Sequence, residues 1–208
     1  MQVTHAAPGD ASATVGRRRL LGLGLGLGAG ASLLPLLSAG TAGAAAATPP
    51  KSPTADDIDL LAAANRLEIT LRAVYDDAIT GVAGWTDEQA AVMVAMREAH
   101  EEFANALSGV LGADAPGERS EVVYAQLRNA AKGAPADVIV AMWGVESAAV
   151  ATHLAVLGQL QGTNGAALTA SIQVAEARHC TILATLAGIT DRSLLLVDEE
   201  AAALEVKG

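Results

Sequence analysis

Two Trp, two Tyr and one Phe are all the aromatic side chains in 208 residues, and there is one cysteine and a deficit of basic residues, 13 against 23 acidic. A lone Cys180 excludes an intrachain disulfide framework. The formal charge of −10 excludes a broad electrostatic grip on DNA, RNA or anionic lipid, because holding phosphates needs clustered Lys and Arg and no basic block follows Arg19. Aromatics, Val and Ile are too sparse for a sheet protein, and no long run alternates with period two. There is no G-x-S-x-G, paired C-x-x-C or dinucleotide fingerprint to support the enzyme classes those motifs mark. What remains is a chain that is 51% hydrophobic, too apolar for a disordered polymer and of a length that suits one compact domain.

The first 44 residues read as an export signal. Arg17-Arg18-Arg19 precedes a Gly-spaced apolar run from Leu20 to Leu37, and Ala42-Gly43-Ala44 resembles a cleavage site. Adjacent arginines, one further residue and two leucines resemble the twin-arginine signal, so the expected partner is that export machinery and the expected location is outside the cytoplasm, in the cell envelope or secreted. Glycines 22–30 belong to this leader and form no phosphate loop. Cleavage after Ala44 removes three arginines and one aspartate and so takes the charge from −10 to −12. Residues 45–54, rich in Ala, Pro and Thr, follow as an extended linker.

From there to about residue 189 the apolar period is helical, and the tail 190–208 carries only a weak helical pattern in Leu194 to Leu204. Four long segments are expected. Segment one spans about Asp57 to Thr80, with Thr54 and Asp57 spaced as a capping box, and segment two runs from Thr86, with Gln89 three residues on, to near Gly112. Segment three covers about Pro135 to Gln161 and segment four about Ala166 to Leu186. A shorter stretch, Ser120 to Lys132, lies between segments two and three as a crossover. The expected fold is all-α: a four-helix bundle of two antiparallel hairpins joined by that crossover.

The residues spaced three and four apart in each segment must face the core. In segment one they are Leu61, Ala64, Glu68, Leu71, Tyr75 and Ala78, and in segment two Met93, Met96, His100, Phe103, Leu107 and Val110. Segment three gives Ile139, Met142, Glu146, Ala149, His153, Val156 and Leu160, and segment four Leu168, Ile172, Ala175, His179, Ile182 and Leu186. Each stripe is apolar except near its middle. The halves also match: Glu68 and Tyr75 fall onto Glu146 and His153 at an offset of 78, and Arg97 and His100 onto Glu176 and His179 at an offset of 79. The chain looks like a duplicated helical hairpin.

A carboxylate inside an apolar stripe costs several kcal/mol to desolvate, so Glu68, Glu146 and Glu176 require cations or protons. All three histidines beyond the leader, His100, His153 and His179, occupy core positions. Glu176 and His179 form an E-x-x-H step that puts a carboxylate and an imidazole one turn apart on one face, a spacing suited to metal ligation. Met93, Met96 and Met142 follow the core period and read as filling rather than a copper site, and Cys180 reads as a buried thiol. His153, seven residues and about 10.5 Å along its helix from Glu146, is expected one layer from the cluster.

These residues resemble the ferritin-like superfamily, in particular its exported bacterial members, over about residues 55–189. The resemblance implies a bundle in which helices one and three each give a Glu, helices two and four each give E-x-x-H, and the set binds two iron or manganese ions. Glu68, His100, Glu146, Glu176 and His179 match that ligand set, and Tyr75 matches a neighbouring tyrosine common in ferritins. Arg97 departs from it, standing where the second-helix glutamate is expected, so the full two-metal ligand set is incomplete and the alternatives are one metal or none. Glu101, one turn further on, is the better of the nearby substitutes. If a metal is bound and redox-active, the resemblance implies ferroxidase- or peroxidase-like chemistry. The alternative is a metal-free structural or interaction protein of the envelope, its core balanced by Arg97 against Glu176 and by protonated His100 and His179 against Glu68 and Glu146. A homo-oligomer, as cage or dimer, and a monomer all stay open.

Overall fold

The computed structural model describes residues 48–195 and 197–206, so the expected leader lies outside the described residues. Among the described residues there are five α-helices and no strand: α1 (Ala55–Gly81), α2 (Asp87–Leu111), α3 (Glu121–Leu127), α4 (Pro135–Leu157) and α5 (Thr163–Leu186), with a 3₁₀ turn at Gly112–Asp114. Both capping boxes form. The Thr54 side chain accepts from Asp57 N while the Asp57 side chain accepts from Thr54 N, and Thr86 and Gln89 do the same for α2. Gly112 ends α2 at φ 60, a conformation that glycine adopts without strain. The indole N–H of Trp85 donates to Ala78 O at 3.3 Å, joining the Val82 N–H on the same carbonyl as α1 ends.

Asn65 of α1 donates to Ala104 O and Ser108 Oγ, and Tyr75 reaches Met96, so α1 and α2 form an antiparallel hairpin. The second hairpin is α4 with α5, and the two meet where α1 packs on α4 and α2 on α5. Tyr75 touches Glu146 while Glu68 touches His153, which makes α1 and α4 antiparallel as well. That direction requires the link from α2 to α4 to travel the length of the bundle. It does so along α1: Glu118 pairs with Arg66, Ser120 N donates to Thr70 Oγ1, and Tyr124 donates to Asp77.

Two segment ends differ from the sequence expectation. Segment three stops at Leu157, before Gly158, and segment four starts at Thr163 rather than Ala166. The cause is distant in the chain. Asp57, 1% exposed, accepts from Gln161 N and Gly162 N, while Thr163 N and Asn164 N donate to Pro50 O and Lys51 O. The start of α5 is thus capped by the chain entering α1. Burial pushes the Asp57 carboxyl up, but these backbone donors and Thr54 outweigh it and hold it at about 2. A Cβ at Gly162 would lie 2.6 Å from Ser52 O, so the contact admits only glycine without a shift.

The stripes of segments one to three are buried as expected, apart from the half-buried Phe103, Val110 and Leu160. Helix α5 is rotated. Its buried line is Gly165, Thr169, Ile172, Glu176, Cys180 and Leu183, whereas Ile182 is 42% exposed. Small residues on that line let α5 sit close: a Cβ at Gly165 would be 3.0 Å from Leu61 Cδ1. Apolar clusters fill the bundle on either side of a polar layer, one around Leu71, Val74, Met93, Met96, Ile139 and Met142, the other around Leu61, Ala64, Leu107, Leu111 and Ile172. The tail contains no helix among its described residues. It runs along α4, with Asp198 N bonded to Ser147 Oγ, Leu204 N to Thr152 Oγ1, and Leu204 and Val206 packed on the core.

Helix α4 is long and apolar enough to cross a bilayer, at a mean hydropathy of 1.5, yet it carries the buried Glu146 and His153. Its apolarity follows from being wrapped by α5, α1 and the tail.

Candidate metal centre

The polar layer holds three carboxylates and three imidazoles from four helices. Glu68, Glu146, Glu176, His100 and His153 are fully buried, and the His179 side chain is 12% exposed. His100 bridges the two single glutamates, with Nδ1 2.7 Å from Glu68 Oε2 and Nε2 3.0 Å from Glu146 Oε1. His179 Nδ1 lies 3.4 Å from Glu146 Oε2. The Tyr75 hydroxyl donates to Glu146 Oε1 at 2.5 Å, and its ring stacks on His100. The half-buried Phe103 stacks on His179 and meets His100 edge-on.

His153 is not a layer away. Its Nδ1 is 3.0 Å from Glu176 Oε2 and its Nε2 3.1 Å from Glu68 Oε1. Seven residues separate His153 from Glu146 along α4, but α1 runs the other way, so seven residues past Glu146 is the level of Glu68. The duplication is therefore visible in space: Tyr75 and His153, each seven residues after its own helix's glutamate, reach the glutamate of the opposite hairpin.

Arg97 faces outward. It pairs with Asp76 at 3.0 Å and Glu101 at 2.8 Å, with Arg72 3.8 Å from both carboxylates, in an ion network on the α1–α2 surface. It neither pairs with Glu176 nor enters the centre, and Glu101, held in the same network, supplies no replacement carboxylate. A guanidinium finds water and two carboxylates there and would face desolvation inside. Cys180 lies beside Ser147, 3.7 Å from its hydroxyl, and burial pushes its thiol up to about 12, with the Glu146 and Glu176 charges adding to the rise; it stays a protonated filler.

Without a metal, the charges in the layer nearly cancel. Burial alone would raise the Glu68 carboxyl, but the His100 hydrogen bond and the His153 ring outweigh it and hold it at about 2. Glu146 is lowered in the same way by His100 and His179. Burial opposes charge on His100, yet Glu146 and Glu68 raise it to about 10, and Glu176 and Glu68 raise His153 similarly. Glu176, left with one imidazole and two neighbouring carboxylates, is pushed up by burial to about 7. Burial and Glu146 hold Tyr75 as a neutral phenol.

The bonding is incomplete nonetheless. Glu68 Oε1, Glu146 Oε2, His153 Nε2, Glu176 Oε1 and His179 Nδ1 are buried without a hydrogen-bond partner, although several lie close to one another. Close approach without the alignment of a hydrogen bond means that these atoms are turned toward a shared space rather than along one another's bonding directions. Ligating atoms of His100, Glu146 and His179 all lie within 4.8 Å of one another, as do those of Glu68, His100 and Glu176. Such a donor set, oxygen and imidazole with no thiolate, fits iron or manganese.

An all-helical bundle with a crossover and a buried carboxylate–imidazole centre between its hairpins defines a class of helical metal-site scaffolds. A family model described as a ferritin-like domain matches residues 56–188, and the chain belongs to that family. No curated protein and no solved structure matches the chain.

Proposed function

We propose that this protein is an exported ferritin-like bundle that binds iron or manganese through Glu68, His100, Glu146, Glu176 and His179. The observation that carries the reading is the set of buried, partnerless ligand atoms, since a native core rarely leaves so many together. A bound ion of this kind supplies one-electron chemistry toward dioxygen or peroxide. The chain's own groups dictate the rest. Tyr75 donates to Glu146 and fixes which of its oxygens is free, His100 keeps one of the carboxylates it faces as the partner that orients its ring when the other nitrogen takes the ion, and two apolar clusters exclude water from either end. Access is on the α2–α5 side, where His179 reaches the surface beside Phe103.

Full chain reconstituted anaerobically with Fe(II) or Mn(II) is expected to retain stoichiometric metal by elemental analysis and to melt at a higher temperature. No retained metal and no thermal shift would leave the second reading, a metal-free structural or interaction protein of the envelope. The near-cancellation of charge in the layer supports that reading.

Export rests on the leader sequence. Replacing Arg17 and Arg18 by lysine is expected to trap the precursor in the cytoplasm. Undiminished export of that variant, read by cell fractionation, would remove the twin-arginine route.

A further inference from the structure

We infer that His153 is a sixth metal ligand, acting through Nε2 on the Glu68 side of the centre; this rests on the metal-binding reading above. Its Nδ1 faces Glu176 Oε2 at 3.0 Å and the Ala149 carbonyl at 3.2 Å. A carbonyl only accepts, so a neutral His153 carries its proton on Nδ1 and leaves Nε2 as a lone pair. That lone pair sits 3.1 Å from Glu68 Oε1, and neither atom has an aligned partner. A ring nitrogen donating to a carboxylate and a backbone carbonyl is the arrangement that orients a ligating imidazole.

The duplication adds a second, independent argument. Tyr75, at the corresponding place in the first hairpin, fills the gap to Glu146 with a hydroxyl proton, which completes a hydrogen bond. His153 brings a ring nitrogen to Glu68 instead, 3.1 Å from Oε1 and without an aligned hydrogen bond, and a cation that takes the place of its proton completes the pair. With Arg97 turned to Asp76 and Glu101, the matching ligand set is one carboxylate short. His153 restores six side-chain donors, three carboxylates and three imidazoles, without adding negative charge.

The test uses Co(II) as probe on the full chain with ¹⁵N-labelled histidine. A ligating imidazole shows its remaining ring N–H proton as a strongly hyperfine-shifted, slowly exchanging resonance. The wild-type protein is expected to show three such histidines. His153→Gln, whose amide can still donate to Glu176, is expected to lose one of them and to bind Co(II) about tenfold or more weakly in a chelator competition. The same number of shifted imidazoles in that variant as in the wild type, or only two in the wild type, overturns the assignment. The wild-type count decides the matter even if the variant does not fold. A wild-type protein that binds no Co(II) overturns the metal-binding reading together with this one, whereas bound Co(II) with an unshifted His153 overturns this one alone.

Discussion

Replacing Glu146 by alanine is expected to cost the metal-free protein about 3–5 kcal/mol, the scale for breaking a buried ionic cluster by removing one member. Two groups from two other helices lose a hydrogen-bond partner at once, the Tyr75 hydroxyl and His100 Nε2, and His179 Nδ1 loses a carboxylate oxygen 3.4 Å away. Of these, His100 is the most consequential, because a buried imidazolium held by two carboxylates is left with Glu68 alone. For a domain of this size the loss corresponds to a fall of roughly 10 °C or more in Tm. Glu146→Gln keeps an acceptor for Tyr75 and should lose less, the difference between the two variants measuring how much of the effect is hydrogen bonding and how much is charge. Urea unfolding with chelator present gives both values. A loss below about 1 kcal/mol for alanine would show that the cluster is not a buried ionic network.

The second large effect is on pH dependence. In the metal-free protein Glu176 is raised from 4.5 to about 7 and His100 from 6.5 to about 10. Both bind their protons more tightly folded than unfolded. Stability therefore falls with rising pH, from about 4.5 to 7 through Glu176 and from about 6.5 to 10 through His100, and His153 acts in the same direction. Glu68, lowered from 4.5 to about 2, works the other way: its contribution is present above pH 4.5 and is lost as pH drops through 2. Glu146 and Asp57, also lowered, follow Glu68. The chelated protein should thus melt highest near pH 5 and progressively lower toward pH 9.

A bound metal would reverse the slope, since a cation would displace the protons on His100, His153 and Glu176 and its binding would release them. The metal-induced rise in Tm should therefore be small at pH 5 and grow toward pH 8. Thermal unfolding across this range, with chelator and with Fe(II) or Mn(II) under anaerobic conditions, checks both halves. A chelated Tm that is flat or climbs between pH 5 and 8 contradicts the protonation pattern given to the layer.

Much of this bundle was legible along the chain. The capping pairs Thr54/Asp57 and Thr86/Gln89, Pro135 at the start of α4 and the glycines past the helix ends are local signals, and they place helix termini to within a few residues. Period and duplication then brought Glu68, His100, Glu146 and the Glu176–His179 step into one layer, because a charged residue in an apolar stripe has few places to go. The face of α5 is where the period misleads, although the stripes of α1, α2 and α4 are buried as read. Helix α5 packs against both α4 and α2, and its buried line turned from His179 and Ile182 to Glu176 and Cys180.

The sequence by itself determined an all-helical chain of two similar hairpins with carboxylates and imidazoles at mid-helix, since capping, period and the cost of burying charge act locally. Only the tertiary structure decided three further matters. The antiparallel run of α1 and α4 brings His153 level with Glu68, and a surface pocket of two carboxylates draws Arg97 outward. Asp57, with the backbone around Pro50 and Lys51, caps a helix that begins more than a hundred residues later. Each depends on the relative direction and proximity of segments distant in sequence, and no local pattern encodes that.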